Sequence, residues 1–193
     1  MPELNVLGIA GSPRRGGNTD LLLAEVMKGA ANKGAKVKTI ILSDLKISPC
    51  QHCDACLKEG NCRIEDDMQT IYDELEQADR IVLASPIQFM GVTAQMKAMI
   101  DRCQALWARK YILNKPPLGN RRQRKGLFVS VGGRKVANLF EPALATVKSL
   151  FRVLDIGYDG ELVFRGVDEK GAITRNPDAL NQAFLAGQRL VGD

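Results

Sequence analysis

The chain has 193 residues, 45% of them hydrophobic and 25% charged, enough to bury one ordinary core and too apolar for a disordered chain. Twenty-seven basic against 22 acidic residues give +5, a balance that suits an anionic cofactor or an acidic partner as well as nucleic acid. No apolar run approaches the roughly 18 residues of a membrane span, the N-terminus lacks a secretion signal, and aromatics at 5% are not interleaved with a basic helix. The expectation is a cytoplasmic chain, one domain over 1–193, with neither membrane nor nucleic acid as partner.

The elements alternate. Leu4 to Ala10 is a short apolar run ending at Gly11, as a buried strand would. Leu21, Leu22, Leu23, Val26, Met27, Ala30 and Ala31 repeat at helical spacing, and Gly34 stops that helix. A second strand spans Lys36 to Leu42, followed by a cysteine-rich segment at about 47–65. A helix over 66–79 opens with two aspartates, as its macrodipole favours. Arg80 to Ala84 is the third strand. Val92, Met96, Met99, Ile100, Cys103, Leu106 and Trp107 mark one continuous helix, and Gly126 to Val131 the fourth strand. Val136, Phe140, Leu144, Val147, Phe151 and Leu154 predict the next helix, Glu161 to Phe164 a fifth strand, and Pro177 to Val191 a closing helix.

Strands separated by helices imply right-handed βαβ units: an α/β fold with a mostly parallel sheet and helices on both faces. Ligands of such sheets bind beyond the carboxyl ends of the strands, at the switch point, so the loops after strands one, three and four deserve scrutiny. The first, Gly11-Ser12-Pro13-Arg14-Arg15-Gly16-Gly17-Asn18-Thr19, combines permissive backbone, hydroxyls, charge and a helix N-terminus, the parts of a phosphate cradle. The bland alternative is a glycine-rich turn with a helix cap. Gly17-Asn18 stands where a P-loop needs Lys-Ser/Thr, the dinucleotide fingerprint is absent, and no cysteine nucleophile is present. A monophosphate cradle without hydrolytic machinery remains. The second loop, Ser85-Pro86-Ile87-Gln88-Phe89-Met90-Gly91, offers apolar residues to a flat heterocycle, or packs on its own helix. Gly132-Gly133 after strand four permits another close backbone approach.

Gly-Ser-Pro-Arg-x-Gly-Gly-Asn-Thr from Gly11, Ser-Pro-Ile-x-Phe-x-Gly from Ser85, and Ala94-Gln95-Met96-Lys97-Ala98-Met99-Ile100-Asp101-Arg102 resemble the flavodoxin-like NAD(P)H-dependent FMN reductases. The resemblance runs from about Val6 to Gly133. It implies a flavodoxin-like three-layer sandwich, five parallel strands in the order 2-1-3-4-5, and FMN. The flavin phosphate is then expected near Ser12, Arg14, Asn18 and Thr19, and its ring near Ser85, Pro86, Ile87, Gln88, Phe89, Gly132 and Gly133. Gln88 departs from the family, which usually has an aromatic there, so another residue or subunit would supply ring stacking.

Four of the five cysteines form Cys50-x2-Cys53-x2-Cys56-x5-Cys62. Tandem x2 spacings bring three thiolates to neighbouring irons, and Gly60-Asn61 allows a turn that returns the fourth. Zinc sites more often use two separated pairs, and a chain without a secretion signal should not depend on disulfides; free redox-active thiols are the other alternative. The spacing, inserted after strand two, resembles the iron–sulfur flavoproteins, a branch of the same family, and implies a [4Fe–4S] cluster on Cys50, Cys53, Cys56 and Cys62 in a homodimer or homotetramer. His52 is expected to be solvated, and Cys103 to be a core thiol on its helix stripe. The basic tract Arg121 to Lys125 reads as a solvated loop or a landing site for an acidic carrier.

The expected function is an oxidoreductase passing electrons from a one-electron donor such as ferredoxin through the cluster to FMN, then to a quinone, oxygen or peroxide. No catalytic acid or base is evident. The alternatives are an NAD(P)H-dependent FMN or quinone reductase without a cluster, and a redox-sensing binding protein.

Overall fold

A computed structural model describes residues 3–119 and 123–192. Five parallel strands, β1 (Asn5–Ala10), β2 (Lys36–Ile41), β3 (Arg80–Ala84), β4 (Lys125–Gly132) and β5 (Gly157–Arg165), form one sheet in the order β2-β1-β3-β4-β5. The expected flavodoxin-like architecture is what the chain adopts. The chain winds outward from β1 to β2, then returns to β3 on the other side of β1, which opens the crevice between the β1 and β3 ends.

Period-two alternation assigns each face of the sheet. Leu7, Ile9, Ile81, Leu83 and Phe128 point to one layer, where they bury α3 (Met68–Gln77), α4 (Ala94–Arg102), α5 (Gln104–Tyr111) and α6 (Glu141–Val153). Val6, Ala10, Val82, Ala84, Leu127, Val129 and Val131 point to the other, against α1 (Asn18–Asn32) and α7 (Pro177–Gly192). A short helix, α2 (Cys56–Glu59), lies within the cysteine segment and ends at Gly60, whose φ of 78° suits glycine. Among the described residues no helix is long and apolar enough to cross a membrane.

Three expectations need adjustment. The helix expected through Trp107 is two helices, because Cys103 adopts φ −66° and ψ 1° and the backbone turns there with bonds from Cys103 N–H to Ile100 O and from Leu106 N–H to Cys103 O. β5 runs from Gly157 rather than Glu161. It is an edge strand paired only to β4, so it needs no continuous apolar run, and its register slips past Asp159 where Gly160 takes φ 123°. α6 begins at Glu141, with Pro142 in its first turn, leaving Val136 in the preceding loop.

The basic tract is also corrected. Arg121 and Arg122 lie outside the described residues, but Arg124 is buried and donates to the carbonyls of Ala78 (3.0 Å), Glu76 (3.0 Å) and Leu118 (2.6 Å). Lys125 belongs to β4 and faces Asp159 at 3.8 Å. This part of the tract closes the C-terminal end of α3 instead of forming a loose basic surface.

Where α1 crosses α7, the backbones touch. A Cβ added to Gly187 would lie 1.9 Å from the Val26 carbonyl oxygen, and one on Gly29 would lie 1.9 Å from that of Phe184. Backbone cannot swing aside as a side chain can, so overpacking outweighs the gain in helix propensity. Gly187→Ala should cost about 3 kcal/mol and lower the melting temperature by roughly 6–12 °C in a thermal scan.

Candidate functional site

The loops at the carboxyl ends of β1, β3 and β4 line one cleft of about 240 Å³. Ser12, Arg14, Asn18, Thr19, Pro86, Ile87, Gln88, Gly132 and Gly133 all border it. α1 starts there, and its cap residue, Gly17, has no side chain to occupy the first N–H groups of the helix. The turn is internally braced. The Ser12 hydroxyl accepts from Arg14 N–H and donates to Arg14 O, both at 3.1 Å, and Gly16 N–H reaches Asp20 Oδ2 at 2.8 Å. Half-burial raises the Asp20 carboxyl above its ordinary value against the pull of the Gly16 and Gly17 N–H groups and of Arg15 and Lys170.

Two expected residues do not line the cleft. Ser85 is fully buried behind it, where its hydroxyl accepts from Thr93 N–H (3.0 Å) and donates to Pro86 O (3.0 Å), while Ser130 Oγ donates to Ser85 O (2.7 Å). Phe89 stands wholly in solvent. It occupies, with Met90, a two-residue turn closed by Gln88 N–H to Gly91 O (3.0 Å) and Gly91 N–H to Gln88 O (2.9 Å), both central residues having positive φ. Non-glycine residues pay for that conformation, so the turn is held by the bridge and by Thr93 behind it. Asn18 borders the cleft, yet its amide is already committed, Nδ2 donating to Glu169 O (2.8 Å) and Oδ1 accepting from Ile173 N–H (3.1 Å).

The loop after β5 is the part sequence reasoning missed. Val167 and Asp168 complete the cleft wall, with Val167 N–H bonded to Gly132 O (3.2 Å) and Arg14 Nη1 to Asp168 O (3.3 Å). A Cβ on Gly133 would come within 3.1 Å of the Asp168 side chain. The available signal was Gly166, a glycine at φ 72° directly after the last strand.

The cysteine segment surrounds a second, tight cavity of about 20 Å³. Cys50, Cys53, Cys56 and Cys62 all line it, with Arg102, Gln104 and Ala105 behind. Burial raises the Cys56 thiol, and its proximity to Cys62, Cys50 and Cys53 adds to the rise, so the four sulfurs share one neighbourhood. They are not drawn together around a point. Among the described residues no three Cys, His, Asp or Glu side chains are grouped to hold a single metal ion. Four thiols lining one cavity fit, by donor type, a group larger than one ion, and the 51–54 stretch of its wall is exposed, with His52 and Asp54 at positive φ. His52 is solvent-exposed, as expected. Cys103 is buried, and burial pushes its thiol up to about 12.

Arg102 was not singled out from the sequence beyond its place in a motif. Its side chain has no exposure; Nη1 donates to Ser48 O (2.9 Å) and Asp66 Oδ2 (2.7 Å), and Nη2 to Ile64 O (3.0 Å). Burial would raise the Asp66 carboxyl, but the Arg102, Ser48 and Met68 hydrogen bonds outweigh it and hold the group below its ordinary value.

Comparison with known proteins places the chain in a family. The family model for NADPH-dependent FMN reductase matches residues 4–155. An iron–sulfur flavoprotein of Archaeoglobus fulgidus is 43% identical over 131 residues, which cover 68% of this chain and 63% of that protein. An iron–sulfur flavoprotein of Methanosarcina thermophila is 30% identical over 174 residues, covering 90% of this chain and 84% of the relative. The solved NAD(P)H:quinone oxidoreductase of Methanothermobacter marburgensis shares the fold at 16% identity, with a TM-score of 0.69 over 99% of this chain and 98% of its own. The chain belongs to the NADPH-dependent FMN reductase family of oxidoreductases, in its iron–sulfur flavoprotein branch.

Proposed function

We propose that the chain is a redox enzyme that holds FMN in the β1–β3–β4 cleft and a [4Fe–4S] cluster on Cys50, Cys53, Cys56 and Cys62. The observation carrying this reading is that all four thiols of the motif line one cavity while three strand-end loops line another at the start of α1. When bound, the cluster supplies single electrons and the flavin a two-electron store, linking a donor such as ferredoxin or NAD(P)H to a small quinone, oxygen or peroxide acceptor.

The chain's own residues bind and orient. The Arg14 guanidinium and the uncapped N–H groups of α1 supply positive potential for a phosphate, and the Ser12 bridge keeps the turn open to it. Gly132 and Gly133 let backbone approach a ring edge without a Cβ, and Pro86, Ile87 and Gln88 form the opposite wall. Gln88 cannot stack as an aromatic would, and Phe89 turns away from the cleft of its own chain. A homodimer or homotetramer, in which another copy covers the cleft, suits that arrangement. No side chain here is asked to transfer a proton.

Protein purified without oxygen should contain about four iron and four sulfide per chain beside one FMN, with Cys56→Ala losing the cluster absorbance and keeping FMN. Flavin without iron or sulfide after anaerobic reconstitution returns the plain NAD(P)H-dependent reductase, and one zinc makes the loop structural. Arg14→Ala should weaken FMN binding roughly tenfold to a hundredfold in a fluorescence titration, the usual worth of a charged hydrogen bond. In iron-free protein at pH 8, iodoacetamide should label exposed Cys53 early and leave Cys103 untouched until the chain unfolds, as read by peptide mass spectrometry.

A further inference from the structure

Arg102 sits at the inner end of the cysteine cavity, at the C-terminus of α4. Three of its hydrogen bonds brace the segment from both sides: Ser48 O lies two residues before Cys50, Ile64 O two residues after Cys62, and Asp66 opens α3. One donor is left. Its Nε is buried and has no hydrogen-bond partner, an arrangement costly enough in a protein interior to call for a reason. The guanidinium lines the same cavity as Cys50, Cys53, Cys56 and Cys62. A thiolate or a sulfide accepts from N–H more strongly than a neutral thiol does, so the spare donor is suited to the cavity thiols in their ligand state.

We propose that Arg102 is a positioning residue of the cysteine site, clamping both ends of the 48–64 loop and offering its spare Nε–H to the sulfurs of the cavity it lines, thereby raising the reduction potential of the bound cluster. The proposal rests on the cluster assignment above. Its physical basis is charge: reduction adds one electron to a group already made anionic by four thiolates. A fully buried cation beside it stabilises the more negative state, and Asp66 offsets part of that effect.

The test uses anaerobically purified holoprotein of the wild type and of Arg102→Gln, Arg102→Lys and Asp66→Asn. Iron, sulfide and FMN are quantified, and the cluster is titrated with redox dyes under electron paramagnetic resonance. Arg102→Gln should shift the cluster potential downward, Arg102→Lys should recover part of the shift, and Asp66→Asn should shift it upward. Arg102→Gln at the wild-type potential, or Arg102→Gln and Asp66→Asn moving in the same direction, would overturn the proposal. If Arg102→Gln fails to fold, judged by lost FMN, the upward shift in Asp66→Asn decides alone. Wild-type protein without iron and sulfide ends the cluster assignment and the potential tuning with it. The clamp is then read by trypsin, with faster cleavage after Lys58 in Arg102→Gln supporting it and unchanged cleavage refuting it.

Discussion

The backbone of Gly11 is where sheet, cleft and helix α4 are joined. Its N–H extends the β1–β3 ladder to Ala84 O at 2.7 Å, and its carbonyl accepts the buried Thr93 hydroxyl at 2.5 Å. That hydroxyl also accepts from Met96 N–H at 3.2 Å, capping α4. A Cβ on Gly11 would sit 2.8 Å from Met96 Cε and 3.0 Å from Met96 Cβ, so the helix lies directly on the turn. From this anchor α4 runs nine residues to Arg102, about 14 Å at the usual rise. One helix thus has its start behind the strand-end cleft and its end in the cysteine cavity.

Three buried arginines share a design. Arg80, Arg102 and Arg124 each spend donors on backbone carbonyls: Leu190, Asp79 and Gln123 for Arg80; Ser48 and Ile64 for Arg102; Ala78, Glu76 and Leu118 for Arg124. Arg80 and Arg124 meet the closing carbonyls of α7 and α3, where a cation is favoured. Three of the chain's 27 basic residues therefore serve internal closure. Arg102 differs in having a buried donor without a partner and a set of thiols beside it.

The strands of the sheet were legible because apolar strand runs and helical stripes are local periodicities, imposed by burial on both faces, whereas their order was implied only by the resemblance of the loop motifs to the FMN reductases. The edge strand was legible only in its apolar half, since pairing on one side leaves Gly157 to Gly160 free to be polar or glycine. The Ser12–Thr19 turn and the cysteine spacing could be read directly, because a helix N-terminus and a multi-thiol loop each need a particular short string of residues. Ser85 and Phe89 belonged to the same kind of string. A motif does not say which way its residues face, however. The backbone turned Ser85 inward to hold Thr93 and Phe89 outward into solvent.

By itself the sequence determined the alternation of elements, the loops at the sheet's switch point and a compact four-cysteine motif, all properties of neighbouring residues. Only the tertiary structure decided that Asp168 would meet Gly133, that Arg124 would be withdrawn from the surface, and that Arg102 would reach Ser48 and Ile64. Those contacts join residues far apart in the chain, and their side chains follow no period that marks them in advance. A buried arginine looks, in sequence, like a solvated one; the carbonyls that take up its charge are supplied by the backbone, whose identity no side chain records.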